Sequence, residues 1–375
     1  MKILELISIP TLTGAAEPML NLCLRMKEQG ALLDIHIDRF RPDNFLFKLE
    51  SAGFHPKQDL WLSSVAPPHL TLLDIRGIVG IIRSGSYDVI HCHLSHDHVL
   101  ATFARKLAGS RIPIVRSLHS SRSLSKRLLQ SALWRRTDGV ICHVEEYGRI
   151  LSEKFSVPAE NILILKNEVD LERFGLPNAD ERNLCRKRWD LPQDKIVIGY
   201  VSRIKPGRKH LDLLEAFARS TAREKVVLLL VGDGEGKKSV KAKVDELGLG
   251  GSVFFTGFLD EDLPQAYHAM NAYLQLAVGN DASCRAVLEA FACGLPAWGV
   301  SEAGIKESVG AWQESNLLSD SSSDSIASAL EDMASRGDLP GLGLTGRSDV
   351  EEHYSGKGNG RAALDFMREI SGKTT

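Results

Sequence analysis

Asp281 and Glu289 are the residues of this 375-residue chain whose types and spacing point most directly to chemistry. They bracket the start of a predicted helix in Asp281-Ala-Ser-Cys-Arg-Ala-Val-Leu-Glu289-Ala-Phe-Ala-Cys-Gly294-Leu-Pro296. Ser283 is the expected N-cap, its hydroxyl accepting from the amides of Arg285 or Ala286. Gly294 should end the helix, and Pro296 prevents its continuation. The amides of Ser283, Cys284 and Arg285 would then lie at the positive end of a helix dipole and cradle a phosphate. Glu289, about two turns on, would accept a pair of ribose hydroxyls. An anion cradle between two hydroxyl-accepting carboxylates is what a sugar nucleotide requires. The plainer reading of the same stretch is an amphipathic helix closed by a glycine.

Further cations follow a predicted strand at 195–201, in Ser202-Arg203-Ile-Lys-Pro-Gly-Arg208-Lys209-His210. Strand C-termini of open α/β sheets face the ligand crevice. A fixed arginine there can stabilise charge building on a leaving diphosphate; a solvated basic loop is the alternative. The turn Thr11-Leu-Thr-Gly14-Ala-Ala-Glu17 opens a helix after the first strand but lacks the G-x-G-x-x-G of a dinucleotide site, which weighs against a dehydrogenase. Gly232-Asp-Gly234-Glu-Gly236-Lys-Lys fails as a P-loop, because Val231 stands where glycine is needed and Lys238 where Ser or Thr is needed. His91 and His93 would share one strand face as a metal pair, but the favoured reading is packing, or contacts to the acceptor substrate from His93 and His96.

Short apolar runs alternating with helical patterns predict parallel sheets with crossover helices. The length suits two domains. We expect an N-terminal Rossmann-like domain over 1–172, a connection over 173–194 containing Pro177, Asn178 and Pro192, a C-terminal Rossmann-like domain over 195–345, and a closing helix over 346–375. A formal charge of −2 argues against nucleic acid as a partner. The six cysteines show no C-x-x-C pair and read as reduced thiols of a cytoplasmic protein. The first residues begin a strand directly, and no apolar run reaches transmembrane length.

The stretch 281–296 resembles the E-x7-E motif of retaining glycosyltransferases of the two-domain GT-B fold, particularly family 4, with Asp281 in place of the usual Glu and Ala282 in place of the usual Gly. The resemblance runs from about Ile3 to Val309. It implies an α/β GT-B architecture, two Rossmann-like domains whose parallel sheets face an interdomain cleft. The second domain would bind the donor and the first most of the acceptor. The segment 203–210 resembles the family loop G-R-x-x-P-x-K-G, which puts Arg203 at the arginine position and Arg208, with Lys209 as its rival, at the lysine position. Gly14 stands where the family has a glycine pair whose backbone approaches the diphosphate. Gly232 lies in a turn like the family's V-G-D-G, which borders the nucleotide. Phe258 sits where a family loop contacts the base, a buried core phenylalanine being the alternative. His119 resembles the histidine placed beside the donor sugar, binding a sugar hydroxyl or a phosphate oxygen.

What the resemblance implies is transfer of a sugar from a UDP-, GDP- or ADP-linked donor to a glycan or lipid-linked acceptor, with retention and no metal or other cofactor. Arg203 and Arg208 would stabilise the leaving diphosphate, Asp281 and His119 would orient the sugar, and Glu289 would hold the ribose. Cell-envelope polysaccharide or lipopolysaccharide synthesis is the expected setting. A non-catalytic sugar-nucleotide binder and an epimerase on the same fold are the rival functions. Between His98 and Thr137 stand nine Lys or Arg and no acid. Leu124, Leu128, Leu129, Leu133 and Trp134 interleave with these cations, so residues 104–137 read either as a core helix with a basic face or as a peripheral contact with the anionic inner face of the cell membrane.

Overall fold

The computed structural model describes residues 1–9, 15–39, 44–63, 65–125, 128–277, 284–312 and 314–374. The chain begins β1 (Lys2–Ile7), α1 (Ala16–Glu28), β2 (Leu32–Ile37), α2 (Asn44–Ser51), α3 (Pro68–Ser84), β3 (Val89–Cys92) and α4 (Ser95–Ala108). It continues with β4 (Ile114–Leu118), α5 (Leu128–Trp134), β5 (Gly139–Cys142), α6 (Glu145–Phe155), β6 (Ile162–Ile164) and α7 (Ala179–Arg188). Next come β7 (Ile196–Val201), α8 (His210–Arg219), β8 (Val226–Val231), α9 (Lys237–Glu246), β9 (Val253–Gly257), α10 (Leu263–Ala269) and β10 (Ala272–Gln275). The last elements are α11 (Arg285–Ala292), β11 (Ala297–Val300), α12 (Ala303–Trp312), β12 (Leu317–Leu318), α13 (Ser323–Ser335), α14 (Leu339–His353) and α15 (Asn359–Thr374).

Two six-stranded parallel sheets result, in the orders β2-β1-β3-β4-β5-β6 and β12-β11-β10-β7-β8-β9. One compact unit comprises Met1–Glu168 with Gly356–Thr375, and the other Val169–Gly279 with Cys284–Ser355. In the first sheet the odd-numbered residues share a face. Ile3, Ile7, Ile35, Ile37, Val89, Val115 and Ile141 pack against Met19 and Cys23 of α1 and Met367 and Ile370 of α15. The even-numbered Leu4, Leu6, Ile90, Cys92 and Ile114 pack against Ile78 and Ile82 of α3 and Leu100 and Ala104 of α4. Burial on both faces is why these strands read as unbroken apolar runs. In the second sheet β8 is the extreme case, Val-Val-Leu-Leu-Leu-Val with every residue buried.

The expected connection at 173–194 instead holds a complete helix of the second unit. A capping box starts α7: Asn178 Oδ1 accepts from the Glu181 amide at 2.9 Å, and Glu181 Oε2 accepts from the Asn178 amide at 2.8 Å. The buried guanidinium of Arg186 then donates to the carbonyl of Ala269 and to Asn271 Oδ1, and Cys185 and Leu191 join the second core. At the other end, α14 also belongs to the second unit, because it packs on α11 with almost no space between backbones: a Cβ on Gly343 would lie 1.8 Å from the Gly294 carbonyl oxygen. The return to the first unit therefore begins at Gly356 rather than at 346. There α15 lies against α1 and over Gly139 of β5, where a Cβ would come within 3.0 Å of Phe366 and Ile370.

The stripe Leu124, Leu133 and Trp134 is buried, with Trp134 Nε1 donating to the Ser123 carbonyl at 3.1 Å. These apolar residues face the core, as the core-helix reading expects. All six cysteines are buried thiols, none in a disulfide. No helix among the described residues is long and apolar enough to cross a membrane.

Met367 is fully buried where α15 closes the first core. Met367→Ala is expected to cost about 2–5 kcal/mol and to open α15 to proteolysis. Urea denaturation and limited digestion measure both, and a loss under about 1 kcal/mol would show that α15 does not complete this core.

Candidate active site

The second sheet reverses direction of winding between β7 and β10: strands β8 and β9 are added on one side, β11 and β12 on the other. Loops leaving the carboxyl ends of two such neighbours diverge and open a ligand crevice. The exits of β7, β8 and β9 are laced together by backbone. Ser202 N donates to Val231 O at 3.0 Å, Ile204 N to Asp233 O at 3.0 Å, Gly236 N to Ile204 O at 2.9 Å, and Gly232 N to Gly257 O at 2.9 Å. Gly232 and Gly234 have φ of 134° and 154°, and Cβ atoms there would fall 2.2 Å from the Ser202 carbonyl oxygen and 2.3 Å from that of Ile204. Both glycines are thus required by backbone meeting backbone, before any ligand is considered.

This lacing sets the path of the basic loop. Arg203, at the very exit of β7, is exposed, and its guanidinium has no hydrogen bond or ion pair among the described residues. The buried Tyr200 hydroxyl donates to the Arg208 carbonyl at 2.6 Å and pins the far end of the loop. Lys209 takes left-handed backbone, φ 61°, as the residue before α8. Its ammonium lies 3.4 Å from Asp212 in the first turn, a partly exposed pair that water and salt loosen easily.

Beside β7, β10 leads towards α11. Asp281 and Ser283 lie outside the described residues, as does Gly14 of the first unit. The helix begins one residue later than expected: buried Cys284, in left-handed backbone at φ 48°, is the N-cap, and Arg285 is the first helical residue. Glu289 is therefore little more than one turn from the helix start. Tyr267, fully buried on α10, donates its hydroxyl to Glu289 Oε2 at 2.7 Å. Burial, and next the Glu289 charge, raise the Tyr267 hydroxyl well above its ordinary pKa, so it remains a donor. The helix closes as the sequence predicts. Gly294 has φ 71°, its amide donates to Phe291 O at 2.9 Å, and Leu295 N donates to Ala290 O at 2.9 Å. Phe258, directly after β9, is 76% exposed, which removes the buried-core alternative.

In the first unit the odd-numbered face turns polar at the strand carboxyl ends. Val89 gives way to His91 and His93, Val115 to Ser117 and His119, and Ile141 to His143, all buried. Glu5, in the middle of β1 and fully buried, binds two of them: His91 Nδ1 lies 2.9 Å from its Oε2 and His93 Nε2 2.8 Å. His91 Nε2 meets Ser117 Oγ at 2.9 Å. His93 Nδ1 lies 3.4 Å from His119 Nε2, and His119 stacks on His143 with ring centroids 5.0 Å apart. Burial alone would raise the Glu5 carboxyl, but the charge and hydrogen bond of His91, with the bond from His93, bring it down to about 2. Burial, reinforced by the His91 charge, holds His93 down at about 4. It also lowers His119 well below the usual range, with His143 and His93 adding to the effect.

Ligand atoms of Glu5, His91 and His93 all lie within 4.8 Å of one another, close enough to consider a metal ion. The contacts have the lengths of hydrogen bonds, whereas a tetrahedral zinc would hold such atoms roughly 3.3 Å apart. His93, considered from sequence as an acceptor contact, is instead enclosed between Glu5 and His119.

The description "Glycosyl transferases group 1" fits residues 181–340 of this chain, and "Glycosyltransferase Family 4" fits residues 13–173. The chain belongs to these glycosyltransferase families. It is 30% identical to the 2-deoxystreptamine glucosyltransferase of Streptomyces kanamyceticus over 47% of this chain and 46% of that protein. It is 25% identical to the UDP-Gal:alpha-D-GlcNAc-diphosphoundecaprenol alpha-1,3-galactosyltransferase of Escherichia coli, over 60% of this chain and 61% of the relative. Its match thus spans about half to three fifths of these relatives' lengths. Among solved structures it resembles Anabaena HepE in complex with UDP, at 19% identity and a TM-score of 0.81, over 98% of this chain and all of that one. HepE has also been solved with UDP-glucose. The GT-B fold expected from sequence is the fold observed.

Of the family positions, the fold brings Arg203, Arg208, Lys209, Gly232 and Phe258 to the carboxyl edge of the second sheet, since each lies in or just after the exit of β7, β8 or β9, while Cys284, Arg285 and Glu289 lie at the N-cap and in the first turns of α11, the helix that follows β10. His119 lies at the corresponding edge of the first sheet. Two residues escaped sequence reasoning. Glu5 is hidden in an apolar strand, although a lone acid in Lys-Ile-Leu-Glu-Leu-Ile is itself a signal of a buried partner. Tyr267 is indistinguishable by pattern from any core tyrosine.

The buried histidines make stability depend on pH. Folding holds His93 at about 4 and His98 at about 3, both mainly through burial, against 6.5 in the ordinary state. Below pH 6.5 the unfolded chain takes up protons that the folded chain refuses, so stability must fall as pH falls towards 4. Asp97, raised to about 6 by burial, and Asp74, raised by burial as well, act in the opposite sense, but His210, lowered by burial to about 4, and His119, lowered well below its usual range, add to the loss. Urea denaturation between pH 6 and 4.5 is expected to show a loss of at least about 1.4 kcal/mol per pH unit, one net proton. A flat profile would contradict the assignment of these histidines as neutral.

Proposed function

We propose that the chain transfers a sugar from a nucleoside-diphosphate donor to a glycan or glycolipid acceptor with retention at the anomeric carbon. The observation behind this reading is the convergence at the β7–β10 switch point of an arginine with no partner among the described residues, a glycine-walled backbone loop and the start of α11. The diphosphate takes the start of α11, where helix amides and dipole favour an anion. Arg203 and Arg208 stabilise the charge that grows on it as the sugar departs. Glu289, held by Tyr267, accepts ribose hydroxyls with its remaining acceptor capacity, and Phe258 offers its exposed ring to the base. Asp281 and His119 orient the sugar, and Gly14 lets backbone approach the diphosphate. Neither metal nor other cofactor enters the scheme. Among the described residues no side chain at the second sheet's edge is an evident general base, which agrees with a front-face displacement in which the donor's own phosphate oxygen takes the acceptor proton.

The undecaprenol-linked substrate named for the Escherichia coli relative supports a lipid-linked acceptor and an envelope polysaccharide or lipopolysaccharide setting. HepE with UDP and UDP-glucose supports a uridine donor. A peripheral membrane contact of residues 104–137, at the cytoplasmic face, would begin at the end of α4. There Phe103 and Leu107 are 47% and 61% exposed beside Lys106 and Arg111.

Thermal shifts with UDP-, GDP- and ADP-glucose identify the base, and nucleotide release with and without acceptor separates an enzyme from a binder. With the donor so identified, Arg203→Ala is expected to lower turnover on the order of 10²–10³-fold while donor affinity falls much less; a wild-type rate would remove its role. Glu289→Ala should abolish donor binding with the circular dichroism spectrum unchanged. Unaltered donor affinity would contradict the ribose contact.

A further inference from the structure

The proton arrangement along Glu5, His93 and His119 can be read from one end to the other. A carboxylate has no proton to give, so both imidazole nitrogens that touch Glu5 Oε2 must be N–H donors: His91 Nδ1 at 2.9 Å and His93 Nε2 at 2.8 Å. Neutral His93 then has a bare Nδ1. That nitrogen can only accept, so the His119 Nε2 lying 3.4 Å away must be the donor. Neutral His119 is left with a bare Nδ1, buried and without a hydrogen-bond partner among the described residues. An unpaired buried acceptor has lost its solvation without a replacement, which a donor supplied by a ligand would restore. Nothing about His119 alone selects this tautomer; the choice is made two residues away, in β1.

We propose that Glu5 is a positioning residue: through His93 it fixes His119 as a neutral hydrogen-bond acceptor, so that the ligand group received at His119 Nδ1 is a sugar hydroxyl and not a phosphate oxygen. The assignment of the hydroxyl to a sugar rests on the glycosyltransferase reading above. The relay itself does not. Phosphate oxygens at neutral pH are acceptors, and two acceptors facing one another repel. A hydroxyl donates, and its own oxygen stays available for a further bond. The relay therefore makes the first sheet's edge selective for hydroxyl-bearing groups, and it leaves phosphate to the amides and guanidinium groups of the second unit.

The test uses the full chain labelled with ¹⁵N in its histidines. Long-range ¹H–¹⁵N correlation at pH 7.5 reports which ring nitrogen carries the proton, and the His119 signals are assigned by their loss in His119→Asn. The expected wild-type result is His93 and His119 both protonated at Nε2 and bare at Nδ1. In Glu5→Gln, where the amide can donate as well as accept, both tautomers of His119 should be populated. A proton on Nδ1 of His119 in the wild type, or a His119 tautomer unchanged by Glu5→Gln, would overturn the proposal. Should Glu5→Gln fail to fold, the wild-type tautomers alone decide it. Calorimetry with UDP supplies an independent arm. Glu5→Gln should change UDP affinity less than about twofold, and a tenfold loss, about 1.4 kcal/mol, would place phosphate at His119 and refute the assignment. A chain that bound no UDP at all would count against the donor reading, while the tautomer measurement would still judge the relay.

Discussion

Everything proposed for the second unit depends on backbone touching backbone at the exits of β7 and β8. Gly232 and Gly234 leave no room for a Cβ against Ser202 and Ile204, and the hydrogen bonds between these segments close the gap completely. A loop held in this way cannot fold over the sheet edge. Its cations are carried outward instead, with Arg203 at the start and the Arg208 carbonyl tied down by Tyr200 at the end. A loop whose backbone is held at both ends delivers its cations to the sheet edge without having to be ordered when an anion arrives.

The first unit solves a different problem, that of placing charge inside an apolar sheet. Glu5 is fully buried, and an isolated carboxylate there would be prohibitively costly. Two imidazoles, His91 of β3 and His93 just after it, satisfy it, and the demand for donors passes from ring to ring until it reaches His119. The hydrogen bonds that make the buried carboxylate tolerable also dictate what the edge of the sheet can recognise. The buried Arg116 on the opposite face, lowered to about 10 by burial against the pull of Asp97, shows that this edge tolerates further buried charge.

Much of the architecture was legible because parallel sheets impose a blunt pattern. Runs such as Val226–Val231 can hardly be anything but buried strands, and Gly294 with Pro296 marks a helix end by backbone geometry alone. Arg203 was legible as well, since its place follows from the rule that strand exits face ligand. What was misread depended on neighbours distant in the chain. Residues 173–194 looked like a linker because proline and asparagine signal turns, yet Asn178 was capping a helix whose Arg186 reaches Asn271. The leucines and tryptophan near 124–134 were equally compatible with lipid and with core, and Leu124, Leu133 and Trp134 found the core. Phe258 was open in the same way and turned outward.

By itself the sequence determined the order and type of the elements, the two parallel sheets and the strand exits at which the cations sit, because periodicity, glycine and proline act over a few residues. It also determined that an acid lies inside β1, without saying what that acid binds. Only the tertiary structure decided that Glu5 meets histidines 86 and 88 positions away, that Tyr267 holds Glu289, and that Cys284 begins α11. Hydrogen bonds and protonation states depend on which groups come within about 3 Å, and that proximity is set by packing between elements, which local spacing does not encode.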